Sequence, residues 1–257
     1  MNYGKTQDGN PHKLVINQHI FPAKSISRFY NHKKNVDVKN LRTNATFYAK
    51  AENPIFCAKR AWNQKAETRV MKDIEDKFQI VADHISSTLL TSITEYEKEI
   101  INEFFALWNI RFYYNAQDIQ DYAINGATGL SKCYTLDEQE QLEKAGISVI
   151  RPDFTISSRD VTSVQIFRNL MEVKKTLSDS LWGILYAKEG EFIVPDNCSN
   201  GRYIPLTPTI CLLAHSENGV IDKEGVKEIN IKAIESSKYY YFANDLCKCP
   251  GYEFCTL

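Results

Sequence analysis

The stretch ETRVMKDIEDKFQIVADHISSTLL, from Glu67 to Leu90, decides the fold class. Met71, Ile74, Phe78, Val81, Ile85 and Leu89 recur at spacings of three and four, which is one apolar stripe of a helix. A second helix is predicted over about 92–112, with Ile101, Phe104, Phe105 and Trp108 on its stripe. Thr135 followed by Glu138 predicts a capping box, and Gly146 the stop of that helix. Val164, Phe167, Leu170, Val173, Leu177 and Leu181 give a further helical pattern over 159–181.

Outward from this helical centre the period shortens. Upstream, 1–66 is rich in Asn, Lys and aromatic residues, with Leu14-Val15-Ile16 and Thr46-Phe47-Tyr48 as strand fragments. Ile147–Ile150 reads as a strand ending at Pro152. Downstream, Trp182–Ala187 and Glu191–Val194 flank Glu189-Gly190 and predict a hairpin. Thr209–Ala214 is a third strand, Asn218-Gly219 a turn, and Asn230 the cap of a last helix running through Tyr239-Tyr240-Tyr241. The expectation is one α+β domain over 1–257: a basic strand and loop segment (1–66), a mainly helical middle (67–181), and a small, mostly antiparallel sheet with a last helix (182–257).

Composition narrows the class. At 257 residues, 43% hydrophobic and 25% charged, the chain is neither disordered nor collagen-like. No run approaches the roughly 18 apolar residues of a membrane span. The polar start MNYGKTQDGNPHK lacks a signal-peptide core, and seven cysteines in so long a chain suit a reducing compartment. A cytoplasmic protein is therefore expected. The formal charge of −1 hides an asymmetry: residues 1–70 hold 13 Lys and Arg against Asp8, Asp37, Glu52 and Glu67. Such a segment either packs against the acidic remainder or presents a basic face to phosphates, which makes nucleic acid a candidate partner.

Several polar positions border apolar elements. His19 lies just before Pro22, which restrains the local backbone, and Lys24 and Arg28 flank it. It is either a hydrogen-bonded structural histidine or an acid–base group beside a phosphate held by Lys24 and Arg28. Arg111 continues the stripe of its helix, so it must pair with a carboxylate or reach a cleft. Glu75, at the edge of the preceding stripe, is its candidate partner or a base; Glu67 falls in that helix's first turn, and His84 reads as a core histidine. Asp196-Asn197 follows the strand Phe192–Val194 and Pro195, as a turn pair or as rigidly held functional groups.

Two motifs are set aside. Pro152-Asp153 with Glu172 and Lys174 fits the written pattern of metal-dependent nucleases, but on a helix Glu172 and Lys174 stand about 200° apart. Cys247, Cys249 and Cys255 lack paired C-x-x-C spacing and, without His215, a fourth ligand for zinc.

In order along the chain, these segments resemble the domain-of-unknown-function 4238 family of bacteria and their mobile elements. His19, Pro22 and Phe29 match its H-x-x-P opening and following phenylalanine. Glu67 and Glu75 are similar to its paired glutamates, one residue further apart than usual, and Phe104–Arg111 to its helix end. Trp182, Phe192 with Asp196-Asn197, and Pro205–Pro208 are similar to its late motifs, with Pro195 in place of a serine and Cys198 in place of a proline. The resemblance implies a stand-alone defence or toxin-type component with a defence-system partner protein, and brings no reaction with it.

Together these readings point to His19, Glu75, Arg111 and Asp196 as a catalytic set, with Lys24, Arg28 and Asn197 binding substrate. The leading expectation is a nuclease-like phosphodiester hydrolase, an RNA-cleaving defence or toxin-type effector, with Mg²⁺ or Mn²⁺ as the candidate cofactor. The alternatives are a non-enzymatic nucleic-acid or protein binding module, and an enzyme acting on a nucleotide or small phosphate-bearing metabolite. A shared open cleft around the four residues would favour an enzyme, and separate core ion pairs the binding module.

Overall fold

The structure, a computed structural model, describes residues 5–88, 92–126 and 132–252. Six α-helices and twelve short strands occupy these residues, the mixed α+β class expected. In chain order they are β1 (Asn17–His19), α1 (Ala23–Ser27), β2 (Val36–Asn40), β3 (Thr46–Ala49), β4 (Cys57–Lys59), α2 (Lys72–Ser87) and α3 (Glu95–Asn115). There follow β5 (Tyr122–Ala123), α4 (Leu136–Ala145), β6 (Thr155–Ile156), α5 (Ser158–Thr176), β7 (Trp182–Ala187), β8 (Val194–Pro195) and β9 (Tyr203–Thr207). The chain closes with β10 (Ile210–Ala214), β11 (Gly219–Ile221), α6 (Lys223–Ser236) and β12 (Tyr240–Ala243).

The helical middle forms from the stripes that predict it. Ile74, Phe78, Val81 and Ile85 of α2 are buried, as are Ile101, Phe104, Phe105 and Trp108 of α3; Leu89 lies outside the described residues. Phe78 stacks on Phe104 at 3.5 Å between ring centroids, joining the two helices. Thr94 and Glu97 build a capping box that starts α3, and Thr135 and Glu138 start α4, which ends at Gly146 in the left-handed conformation (φ 81°). Helix α5 is present, but its buried face runs through Thr162, Ser163, Ile166 and Leu170. Val164 and Leu181 of the predicted stripe are exposed. Short polar side chains can take that face because their hydroxyls bond backwards, Thr162 to the Ser158 carbonyl and Ser163 to that of Arg159.

The strands depart most from expectation. Two four-stranded sheets form, in the orders β3-β2-β12-β8 and β11-β7-β10-β9, and every pairing is antiparallel except β11 with β7. The first sheet joins the two ends of the chain: Tyr240 pairs with Asn40 and Phe242 with Val38. The β strand 182–187 does not hairpin onto 191–194. At Gly190 (φ 89°) the chain turns against Pro250, Glu191 N–H donates to the Lys248 carbonyl, and Val194–Pro195 enters the other sheet beside β12. Tyr239–Tyr241 likewise leaves the helix. Ser237 closes α6, and Tyr240–Ala243 are all buried as a central strand, where aromatic side chains find cover on both faces. Asp222, rather than Asn230, caps α6, accepting from the Gly225 N–H. Asn230 is buried mid-helix and ties down the crossing segment, accepting from Ile193 N–H and donating to the carbonyls of Glu191 and Pro250. Leu14–Ile16 and Ile147–Ile150 are not strands; Leu14 N–H bonds the Asn10 side chain and Val15 N–H that of Gln64, not a neighbouring strand.

One continuous apolar core runs from Ile20 through α2, α3 and both large sheets to Cys249. Phe21, packed 4.7 Å from Trp108 and 6.3 Å from Phe242 by ring centroid, links the helical middle to the sheet shared by the chain ends. No helix among the described residues is long and apolar enough to cross a membrane.

Candidate functional site

Arg111 sits where its place in the stripe puts it, 1% exposed on the inner face of α3. Its guanidinium donates to Glu75 and lies 3.5 Å from Glu67 Oε2, and it stands over the Trp62 ring at 5.5 Å. Trp62 in turn donates its indole N–H to Glu67 at 2.6 Å. Burial alone would lower the Arg111 pKa; the charges of Glu75 and then Glu67 overcome it and raise it.

The two glutamates meet one arginine because of a local irregularity. Residues Ala66–Met71 form a π turn ahead of α2. Eight residues of uninterrupted α-helix would carry Glu75 about 80° around the axis from Glu67. A π turn absorbs one extra residue, so the spacing acts as seven and leaves the pair within about 20° of one face.

The other two positions of the predicted catalytic set, His19 and Asp196, hold separate hydrogen-bond systems that are not shared with this cluster. His19 Nε2 donates to the Ala51 carbonyl at 2.9 Å, and its backbone pairs with Cys57 across β1 and β4. Asp196, fully buried at the end of β8, accepts from the backbone N–H groups of Lys238, Tyr239 and Tyr240 and from the Asn197 side chain. Burial raises its pKa, and those N–H groups pull against that shift. This carboxylate steers the chain from α6 into β12. Asn197 does related work, donating to the Ser236 carbonyl and accepting from Ser199 N–H. Only Glu75 and Arg111 of the four are thus in contact.

Lys24 and Arg28 are both engaged by Asp83 of α2, each at 2.7 Å, with Arg28 also donating to the Gln79 carbonyl. Asp83 has its pKa lowered: burial works against this, and the bonds from Lys24 and Arg28 outweigh it. His84 is not a core residue: its side chain is half exposed and meets Glu97 at 3.2 Å. Glu172 and Lys174 sit on helix α5 and pair apart, with Lys175 and Glu103 respectively. Cys255 lies outside the described residues, and among those described no group of three or more His, Cys, Asp or Glu side chains is placed to hold a metal ion.

Two features went unread in the sequence. Trp62 and Asp83, which complete these ion-pair systems, follow no motif spacing. The second is a pair of adjoining clefts at the C-terminal end of α3, of about 240 and 320 Å³, which share Cys57 and Asn115. Arg42, Phe112 and Tyr239 wall the first; Lys59 and Tyr114 wall the second. Burial, opposed by Lys59 and helped by the Glu67 charge, pushes the Cys57 thiol up to about 11, so it stands protonated at neutral pH.

Fold and site together define the class: a mixed α+β domain whose buried ion pairs brace the helices and whose basic N-terminal segment is built into the core, with most of its cations exposed. No family model, curated protein or solved structure matches this chain.

Proposed function

We propose that the protein is a non-enzymatic binding module whose basic segment docks nucleic acid. One observation carries this reading. Of the thirteen Lys and Arg in residues 1–70, Lys24 and Arg28 pair with Asp83 and Arg60 with Glu143, while the other ten form no ion pair among the described residues. Of these ten, Lys39 is buried and bonded to the Asn44 carbonyl, and the other nine are exposed. Exposed cations that no carboxylate pairs attract phosphates by releasing their counterions. The placement of the predicted catalytic set agrees with it, because Arg111 is consumed by Glu67 and Glu75, and Asp196 by backbone N–H groups.

The test is binding and cleavage of labelled RNA and DNA in the same samples, with and without Mg²⁺ or Mn²⁺, across a salt series. Retention of intact nucleic acid, weakening steeply with salt, is expected. Cleavage that disappears in folded His19→Ala and Asp196→Ala variants would instead establish the phosphodiester hydrolase. Absence of binding even at low salt would remove nucleic acid as the partner.

A further inference from the structure

The clefts at the end of α3 have a composition that the charge argument alone does not predict. Arg42 lines the first cleft and stands over the Tyr239 ring at 4.1 Å; Lys238, outside the lining, approaches the same ring at 5.3 Å, and neither forms an ion pair among the described residues. Phe112 lies 5.7 Å from Tyr239 by ring centroid. Below them Ile20, Pro54 and Ile55 give an apolar floor, and the amides of Asn40 and Asn115 stand at the sides. Tyr240, a further lining residue, has a buried hydroxyl without a hydrogen-bond partner. The Asn40 Oδ1 accepts from the Arg42 and Thr43 N–H groups, which leaves its NH₂ to face the cleft. Cations, aromatic rings and amide groups beside apolar side chains are the groups that hold a base and its phosphate.

Size and polarity sharpen this. The first cleft falls below the about 300–1,000 Å³ usual for drug-sized ligands, which suits one nucleotide unit. The C-terminal end of α3 carries the negative pole of its helix, so a phosphate is disfavoured there and a neutral base is not. The base therefore belongs toward Asn115 and Phe112, and the phosphate toward Arg42 and Lys238. The adjoining cleft has Tyr114, Gln117 and Lys59, the lysine donating to Asn17; Asp118 also lines it, so a phosphate belongs at Lys59 and away from that carboxylate. Stacking on the Phe112 and Tyr239 rings needs a base with an open face, which a single strand offers and a duplex interior does not.

We infer that the two clefts meeting at Cys57 and Asn115 bind consecutive nucleotides of a single-stranded nucleic acid, with Arg42 and Lys238 on the first phosphate and Lys59 on the next. This rests on the nucleic-acid reading above and deepens it from a charged segment to a defined path.

The test uses fluorescence anisotropy with labelled oligouridylate and oligodeoxythymidylate of about 12 nucleotides, and a duplex of equal length. Arg42→Ala with Lys238→Ala removes the phosphate contacts, and Cys57→Trp fills the junction without altering charge. Lys33→Ala with Lys34→Ala, at two exposed lysines that line neither cleft, is the charge-matched control. Melting curves confirm folding, with Asn115→Trp replacing Cys57→Trp if the latter unfolds. The cleft variants are expected to bind single strands at least about tenfold more weakly, with a salt slope reduced by about 2 for the double substitution. The control should stay within about twofold. Single strands that bind the cleft variants as well as the wild type, or a duplex that binds more tightly, would overturn the path and leave the nucleic-acid reading standing. No binding of any oligonucleotide to the wild type would end both.

Discussion

Arg111 shows what a buried charge demands of its surroundings. Between Glu67, Glu75 and the Trp62 face, its guanidinium has two counter-charges and a polarisable ring, while its Nε has no hydrogen-bond partner. Replacing it by methionine keeps the bulk and leaves two carboxylates facing an apolar wall. Arg111→Met is expected to cost about 3–5 kcal/mol, the usual penalty for breaking a buried pair from one side. Adding Glu67→Gln and Glu75→Leu removes the stranded charges and should restore most of that loss, as measured by urea unfolding. A triple variant no more stable than the single one would show that Arg111 acts through packing. The pairing of Arg111 with Glu75 was legible in the sequence, because an arginine on an apolar stripe has few options. The roles of Asp196 and Asp83 were not. Asp196 answers backbone N–H groups more than forty positions away, and no local pattern encodes a partner at that distance. Lys24 and Arg28 look free in the sequence for the same reason.

At the scale of elements, the π turn at Ala66–Met71 is the device that makes the cluster possible. If it stores a single inserted residue, deleting exposed Arg69 should convert it to ordinary α-helix and leave Glu67 and Glu75 on one face at a spacing of seven. Thermal unfolding by circular dichroism should then shift by only a few degrees. Deleting Ile80, equally exposed but inside regular α2, rotates everything on one side of it by about 100° and should abolish the cooperative transition. Equal damage from both deletions would refute the insertion account. Helices of this protein were readable because their stripes, capping boxes and Gly146 are local signals. The strands were less so. Tyr239-Tyr240-Tyr241 has no period of its own and becomes a strand because β2 and β8 lie on either side of it. The expected hairpin failed at Gly190, where contact with Pro250, sixty positions on, sends the chain to the other sheet.

At the scale of the whole molecule, that sheet has a consequence for stability. Its order β3-β2-β12-β8 sets two strands from the first fifty residues beside two from the last sixty-five, joined where β2 meets β12. Neither end of the chain can complete a sheet without the other, and the helical middle packs onto the result through Phe21, Trp108 and Phe242. The basic segment is therefore not a detachable arm but part of the core, which fixes its cations in position. Unfolding should accordingly be a single event. The three tryptophans report different places: Trp62 beside the ion-pair cluster, Trp108 in α3 and Trp182 in β7. Denaturant curves followed by tryptophan fluorescence and by far-ultraviolet circular dichroism should coincide, with one midpoint. Truncation after Lys238 removes β12, the strand between β2 and β8, and should leave no cooperative transition at all. Separate midpoints, or a truncated chain that still melts sharply, would mean that the helical middle is stable without the sheet, and the cleft residues contributed by β2, β4 and β12 would then be held only loosely around α3.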